Sequence, residues 1–293
     1  MEEDVGVEAD LRIAEIRAGL GYRPQFLADL FAAREAVDII EVVADHYLDA
    51  SREKLAELDL LADHFPVVPH GLDLSLGSAE GIDPAYLRKM ARLVARLDPP
   101  WWSEHLAFTK AGGVAIGHLA ALPYTREAAE AVARNVETVR RAIATPLLLE
   151  NLTAIALVPG AEMDEPAFLT RVLELTGCGW LCDVTNLYTN AVNHGGDLEA
   201  ALDRGALDRW ALDRWPWERV VQFHIAGGRR LRGLLMDSHD APTPPEIWAL
   251  LETILPLARN AQAIVLERDE NLPPFGALLE EVARARAIGR RCR

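Results

Sequence analysis

Cysteine is scarce in this chain: its 293 residues include only Cys178, Cys182 and Cys292. Their spacing forms neither a disulfide framework nor a CxxC pair. Apolar runs of membrane-spanning length are also lacking, and the acidic start from Met1 to Asp4 is the opposite of the basic first part of a signal peptide. These absences predict a cytoplasmic protein that does not span a membrane.

Basic residues are outnumbered in the sequence. Lysine and arginine total 30 against 45 acidic residues, which gives a formal net charge of −15. Because like charges repel, this balance argues against non-specific binding to nucleic acid or to an anionic membrane surface. The hydrophobic content of 50% in 293 residues is nevertheless enough to bury a sizeable core.

Several common catalytic motifs are missing. The chain contains no GxSxG elbow, no phosphate-binding P-loop and no HExxH zinc motif. A doubly wound open sheet is the second-choice architecture, but no GxGxxG motif follows the first predicted strand. Serine-hydrolase, nucleotide-hydrolysing and dinucleotide-binding functions are therefore disfavoured.

Short apolar runs recur along the chain, and helical patterns separate them. The runs predict strands at residues 16–22, 37–45, 66–74, 101–108, 146–151, 179–184, 220–226 and 263–269. Parallel strands that are buried on both faces have this continuous apolar character. Eight strands alternating with helices, without a linker between them, predict an α/β fold with a single (β/α)8 TIM barrel over residues 16–293.

Two segments fall outside the barrel pattern. Residues 1–15 are polar and are predicted to form an N-terminal tail. Ala-Leu-Asp-Arg occurs three times within residues 201–214 at a spacing of five, which fits neither a solenoid nor a heptad. We interpret it as a local duplication in a surface helix.

Six of the predicted strands end on a potential metal ligand, namely His70, His105, Glu150, Asp183, His224 and Glu267. The C-terminal ends of barrel strands meet at one mouth. A single histidine there is more commonly a hydrogen-bonded core residue, but a buried carboxylate is costly unless it is paired or binds a cation. Imidazole and carboxylate without thiolate favour iron, manganese or zinc. So many ligands indicate two or three ions that share bridging carboxylates.

Other polar residues leave alternatives open. Asp237 and His239 are two apart, so an extended segment would place them on the same side, whereas a turn is the plain alternative. Glu104 would face away from the ligand His105 if the strand is regular. The pair Asp45 and His46 is ambiguous in the same way. His194 is expected near the mouth as a substrate contact, and the long connection 109–125 is expected to lack regular structure and to serve function.

These segments resemble a known family, the multinuclear non-heme iron-dependent oxidative enzymes (MNIO), which include the methanobactin-maturing oxidase. The matching pieces span almost the whole chain in the order of the family. They are PHGLDLSLGS (69–78), SEHLAFT (103–109), LLLEN (147–151), CDVTNLYTNAVNHG (182–195), FHIAGG (223–228), DSHDAP (237–242) and LERDENLPPF (266–275).

The resemblance implies a xylose-isomerase-like barrel with two or three mixed-valent iron ions. It also implies that O2 is the co-substrate and that the enzyme modifies residues, often cysteines, of a ribosomally made precursor peptide (RiPP). A separate small partner protein that recognises the leader of the precursor is expected as well. One iron would be held by His70, His105 and Glu150, and the others by Asp183, His224, Asp237, His239 and Glu267. We expect Asp183, His224 and Asn186 to act in catalysis, with Asn151 close by.

The sequence departs from the pattern of the family at three places. Asp45-His46 stands where many relatives have a histidine and then a Glu-Asn pair, Gly227-Gly228 where another histidine is common, and Arg268 where tryptophan is frequent. The competing hypothesis on the same fold is a non-redox enzyme that uses a divalent metal, either a sugar isomerase or an endonuclease-type hydrolase. A non-catalytic scaffold is a third reading, which the density of inward ligands disfavours.

Overall fold

The computed structural model describes residues 15–194 and 212–292. The predicted tail lies outside the described residues, except for residue 15. Most of the Ala-Leu-Asp-Arg duplication also lies outside them.

Eight parallel strands close into a barrel. They are β1 (Arg17–Gly21), β2 (Ile39–Val43), β3 (Val67–Gly71), β4 (Trp102–His105), β7 (Leu147–Glu150), β8 (Gly179–Asp183), β9 (Val220–Leu231) and β11 (Ala263–Glu267). Each strand pairs with its neighbour in this order, and pairing between β1 and β11 closes the ring. All eight lie where the apolar runs predicted strands, so the (β/α)8 barrel is confirmed.

Eight α-helices surround the barrel in the described part of the chain. They are α1 (Leu27–Ala32), α2 (Arg52–Ala62), α3 (Pro84–Leu97), α4 (Arg126–Ala142), α5 (Glu165–Thr176), α6 (Val184–His194), α7 (Pro245–Ile254) and α8 (Phe275–Arg291). Ser51, Asp83 and Asp164 begin three of them by accepting hydrogen bonds from backbone amides of the first turn. None of the helices within 15–194 and 212–292 is long and apolar enough to cross a bilayer.

The buried apolar residues form two layers. The larger one lies between the strands and the surrounding helices. The smaller one fills the barrel interior and consists of Ile39, Val68, Trp101, Leu148, Leu181, Ala263 and Val265. Strands with apolar neighbours on both faces need apolar side chains at successive positions, which explains the continuous runs in the sequence.

Two β-hairpins extend from the barrel, and the sequence predicted neither. The segment expected to be an irregular connection instead forms the antiparallel strands β5 (Ala107–Ala111) and β6 (Val114–Ala121). Their turn uses Gly112 and Gly113, both with positive φ, and Glu80 accepts hydrogen bonds from both amides. The second hairpin pairs the end of β9 with β10 (Leu234–Ala241), so the segment of Asp237 and His239 is an irregular strand and not a loop.

Candidate metal centre

The structure brings together all eight residues that the sequence singled out as metal ligands. They form three adjoining groups at the C-terminal ends of the strands, and within each group the candidate ligand atoms lie within 4.8 Å of one another. The groups are His70, His105 and Glu150; Glu150, Asp183, His224 and Glu267; and Asp183, Asp237 and His239. Glu150 and Asp183 each belong to two groups, which is the position that a bridging carboxylate would occupy.

The first group is held by hydrogen bonds to the far side of each imidazole. His105 Nδ1 lies 3.1 Å from the carbonyl oxygen of Gly71, which can only accept, so Nδ1 carries a proton. His70 Nδ1 lies 2.8 Å from the hydroxyl of Ser103. The Nε2 atoms of His70 and His105 therefore face the same carboxylate oxygen, Glu150 Oε2, at 3.1 and 3.3 Å.

The second group is organised around His224, which no solvent reaches. Its Nδ1 lies 3.0 Å from Glu267 Oε2 and 3.2 Å from Glu150 Oε1. Its Nε2 points the other way and lies 2.9 Å from Glu41 Oε1. Glu41 is buried in β2 and also accepts a hydrogen bond of 2.6 Å from the amide nitrogen of Gln222. The sequence reasoning missed Glu41, and the signal was a lone carboxylate within the apolar run IIEVV.

The second hairpin carries two residues of the third group, Asp237 and His239. His239 Nε2 lies 2.6 Å from Asp237 Oδ1, and Nδ1 lies 3.2 Å from Asp269 Oδ2. The backbone of His239 has φ of 49°, a left-handed conformation that is uncommon for residues other than glycine. Strain of this kind persists where the surroundings impose it, and it concentrates at functional sites.

The Asp183 carboxylate, which joins the second and third groups, is positioned by the first turn of α6, and the backbone of Asp183 is held by Asn151, which follows β7. Its Oδ1 accepts a 2.7 Å hydrogen bond from the backbone amide of Asn186. The side chain of Asn151 bonds to both the amide and the carbonyl group of Asp183, at 2.9 Å each. The side chain of Asn186 bonds to the Asn151 carbonyl and to Thr153, and its expected role in catalysis stays a prediction.

Burial and opposite charge set the pKa values of the first group. Burial disfavours the ionised form of Glu150, but the imidazoles of His105, His70 and His224 outweigh it and lower the pKa of Glu150 to about 2. The same ion pairing has the opposite effect on the pKa of His105. Burial lowers its pKa, while Glu150 and Glu104 raise it, with a net pKa of about 9.

Asp183 shows the opposite behaviour. Burial raises its pKa well above the usual range, and the nearby carboxylates of Asp237, Glu150 and Glu267 raise it further. A carboxyl group surrounded by other carboxylates stays protonated unless a cation joins them. The charge distribution around Asp183 is therefore suited to a cation.

Five buried atoms of these eight residues lack a hydrogen bond of acceptable geometry. They are Glu150 Oε2, Asp183 Oδ2, Asp237 Oδ1, His239 Nε2 and Glu267 Oε2. Four of them instead lie in ion-pair contact with a partner in the same region: Glu150 Oε2 with His70 and His105, Glu267 Oε2 with His224, and Asp237 Oδ1 with His239 Nε2. A buried polar atom without a well-formed hydrogen bond is costly, and each one in a native structure calls for an explanation. All five are atoms of the kind that bind metal ions, and they converge on one region. The residues present therefore fit a metal centre with nitrogen and oxygen ligands.

The other polar residues named from the sequence lie around this centre. Glu104 is buried and accepts hydrogen bonds from the amides of Leu74 and His105, in agreement with the expectation that it faces away from the ligands. Asp45 accepts hydrogen bonds from the Leu72 amide and the Tyr86 hydroxyl. His194 ends α6 beside a cavity of about 400 Å³.

Comparison with known proteins assigns the family. A family model described as "RiPP precursor modification enzyme MbnB/TglH/ChrH" matches residues 17–290. The chain belongs to this family. Its relatives include a protein of Caulobacter vibrioides, 38% identical over 93% of this chain and 95% of the relative, and one of Rhizorhabdus wittichii, 36% identical over 92% and 93%. Both are named only "UPF0276 protein", so they add no activity.

Solved structures support the architecture of this MbnB/TglH/ChrH family member. A xylose isomerase domain protein from Planctomyces limnophilus matches with a TM-score of 0.61 over 95% of this chain and 99% of its own, at 14% identity. Endonuclease IV from Thermus thermophilus matches with a TM-score of 0.56 over 92% and 98%, at 17% identity. At such low identity these matches show the fold alone, which is xylose-isomerase-like as predicted.

Proposed function

We propose that this protein is a multinuclear iron-dependent oxidase that modifies residues, cysteine among them, of a ribosomally synthesised precursor peptide. The convergence of five buried atoms of ligand type that lack a well-formed hydrogen bond carries the proposal, together with membership of a family that modifies such precursors. The donor set of four imidazoles and four carboxylates contains no thiolate and suits iron. The reaction oxidises the peptide, and O2 accepts the electrons.

The eight clustered residues would hold two or three iron ions in mixed oxidation states, with Glu150 and Asp183 as the shared ligands. When bound, the irons supply redox chemistry and open positions for a substrate thiolate and O2.

The chain itself supplies orientation around this centre. Ser103, the Gly71 carbonyl and Asp269 fix Nδ1 of three imidazoles, and Glu41 fixes Nε2 of the fourth. Such outer hydrogen bonds determine which nitrogen is free to bind a metal.

The substrate is proposed to come from outside the chain. Of the three cysteines, Cys178 and Cys182 are buried and Cys292 is partly buried, and burial raises the pKa of all three thiols, so none is a competing thiolate. A separate small protein that recognises the leader of the precursor is part of the proposal, as is a cytoplasmic location. A short cysteine-bearing reading frame beside the gene would identify the precursor.

Oxygen consumption tests the proposal. Iron-loaded protein, mixed with the peptide encoded by such a neighbouring reading frame, is expected to consume O2 and to change the mass of the peptide. Under argon the mass should stay constant. Turnover of a small sugar or of DNA that proceeds anaerobically with magnesium or manganese would contradict the oxidase and favour the non-redox alternative.

A further inference from the structure

The tip of the second hairpin concentrates positive charge in an acidic protein. Three arginines lie within four positions there, Arg229, Arg230 and Arg232, while the whole chain carries a net charge of −15. We call the segment 229–233 the basic tip. All five of its residues are exposed. Arg229 pairs with Asp240 at 2.9 Å, whereas no ion pair of Arg230 or Arg232 is found within the described residues.

The backbone of the basic tip is strained. Arg232 and Gly233 form the two-residue turn of the hairpin, with φ of 52° and 90°. A turn with two positive φ values favours asparagine or glycine at its first position, because a larger side chain is disfavoured there. Arginine at this place is thus not explained by the folding of the hairpin. The neighbouring Leu231 exposes 51% of its surface, so an apolar surface lies between the charged side chains of Arg230 and Arg232.

The hairpin that presents the basic tip also carries part of the candidate metal centre. Asp237 and His239 lie in β10, only a few residues from the turn. A Cβ atom on Gly228 would lie 2.0 Å from the carbonyl oxygen of Met236, so the two strands are in close backbone contact. Asn193 of α6 also holds β10 through two hydrogen bonds of 2.8 Å with the backbone of Leu235. The tip is therefore held at a fixed position relative to the centre.

From these observations we propose that the basic tip binds an acidic segment of the precursor peptide and so directs the peptide toward the metal centre. Arg230 and Arg232 would bind carboxylates, because a planar guanidinium donates two parallel hydrogen bonds to one carboxylate. Leu231 would contact an apolar side chain between the acids. The identity of the occupant as a precursor peptide rests on the proposed function.

Charge also favours a peptide over a nucleic acid as the occupant. The guanidiniums of Arg230 and Arg232 can match a few carboxylates spaced along an extended peptide. A nucleic acid carries one charge for each phosphate, and it would have to lie against the rest of a protein with a net charge of −15. The repulsion increases with the length of the polyanion.

Binding of synthetic probes tests the inference without iron or O2. The probes are a short fluorescein-labelled peptide of alternating glutamate and leucine, the same peptide with lysine for glutamate, and an oligothymidylate of equal charge to the acidic peptide. The test variant is the double substitution Arg230→Ala with Arg232→Asn, since asparagine suits the left-handed turn and keeps the hairpin folded. The matched control replaces the exposed Arg88 and Arg92 of α3 by alanine, which changes the net charge equally.

The wild type is expected to bind the acidic peptide in preference to the lysine peptide at low salt. The test variant should bind the acidic peptide at least about tenfold more weakly and should unfold at the same or a higher temperature. The control variant should bind like the wild type. Equal affinities of wild type and test variant, an equal loss in the control, or tighter binding of the oligothymidylate at the tip would overturn the inference. Because binding needs no turnover, these results stand whether or not the protein proves to be an oxidase.

Discussion

At the scale of single residues, the choice of imidazole nitrogen distinguishes one histidine of the centre from the other three. His70, His105 and His239 use Nδ1 for an outer hydrogen bond and keep Nε2 for the centre, whereas His224 does the reverse. Two buried side chains reach Nε2 of His224, the Glu41 carboxylate at 2.9 Å and the Gln222 amide nitrogen at 3.0 Å, and of these the carboxylate is the acceptor that favours a proton on Nε2. Glu41 is thus a positioning residue for His224.

Replacement of Glu41 by glutamine tests this role. We expect Glu41→Gln to weaken iron binding by about 10- to 100-fold, because the neutral amide no longer favours a proton on Nε2 and so no longer frees Nδ1. The measurement is a titration of metal-free protein with ferrous iron under nitrogen. The control is Glu165→Gln, which removes a carboxylate outside the three groups and should leave the affinity for iron unchanged. If Glu41→Gln bound iron as tightly as the wild type, the positioning role of Glu41 would be contradicted.

Glu165 allows a prediction about pH. It lies at the start of α5, and burial raises its pKa to about 7, with a smaller opposing effect of its hydrogen bond from Asn190. A carboxyl group whose pKa is higher in the folded state than in the unfolded state reduces stability as pH rises through the interval between the two values. Stability of the wild type should therefore decline between the ordinary value of 4.5 and about 7.

Glu165→Gln should remove this decline, because the amide does not ionise. The side chain is partly exposed, so we expect a gain on the order of 1 kcal/mol above neutral pH and none near pH ~4. Urea unfolding of metal-free wild type and variant at both pH values measures it. An equal difference between the two proteins at acidic and alkaline pH would show that Glu165 is not the group responsible.

At the scale of elements, the barrel strands were predictable and the hairpins were not. A strand such as Leu147–Glu150 is apolar because both faces are buried, so its character survives in the sequence alone. The strand Val114–Ala121 is exposed along most of its length and is interrupted by Gly117, so it has no apolar pattern. Its partner β5 directly follows β4, and the sequence does not show that one strand ends and another begins.

The residues of the candidate site on the second hairpin were also difficult to predict from the sequence. The strand ends identified six of the candidate ligands, but the prediction of Asp237 and His239 depended on whether an irregular segment is extended. Glu41 was missed because a parallel strand is apolar on both faces, so periodicity does not reveal which way a single acid points. Asn186 was identified correctly as a neighbour of the centre, but its hydrogen bonds could not be read from spacing.

Close packing in this hairpin gives a prediction at the same scale. Gly228→Ala should displace β10, because the new Cβ would lie 2.0 Å from the Met236 carbonyl oxygen. We expect a loss of roughly 1–3 kcal/mol in stability and a loss of iron, since β10 carries Asp237 and His239. Thermal unfolding and elemental analysis measure the two effects.

Gly276→Ala is the matched control for this substitution. No heavy atom lies within 4 Å of a Cβ placed there, and the position is in helix α8. The control should be as stable as the wild type or more so by up to about 1 kcal/mol, with full iron content. Full iron content in Gly228→Ala would contradict the link between hairpin packing and the centre.

At the scale of the whole molecule, the residues that stabilise the fold are separate from those that form the candidate site. The apolar strands stabilise the barrel, and the polar mouth carries the site. Barrel packing relies on apolar residues below the mouth, such as Val68, Leu148 and Leu181. The mouth gathers charged groups whose pairing is incomplete without a cation. The central claim is therefore that these groups together bind more than one iron ion.

Iron content per chain tests that claim most directly. Protein produced in iron-rich medium and purified without air should contain more than one iron per chain by elemental analysis. His70→Ala should lose about one iron, because it removes a ligand of the first group, whereas replacement of the exposed His64 by alanine should lose none. A wild type with a single zinc or without metal, or equal iron in His70→Ala and wild type, would contradict the account.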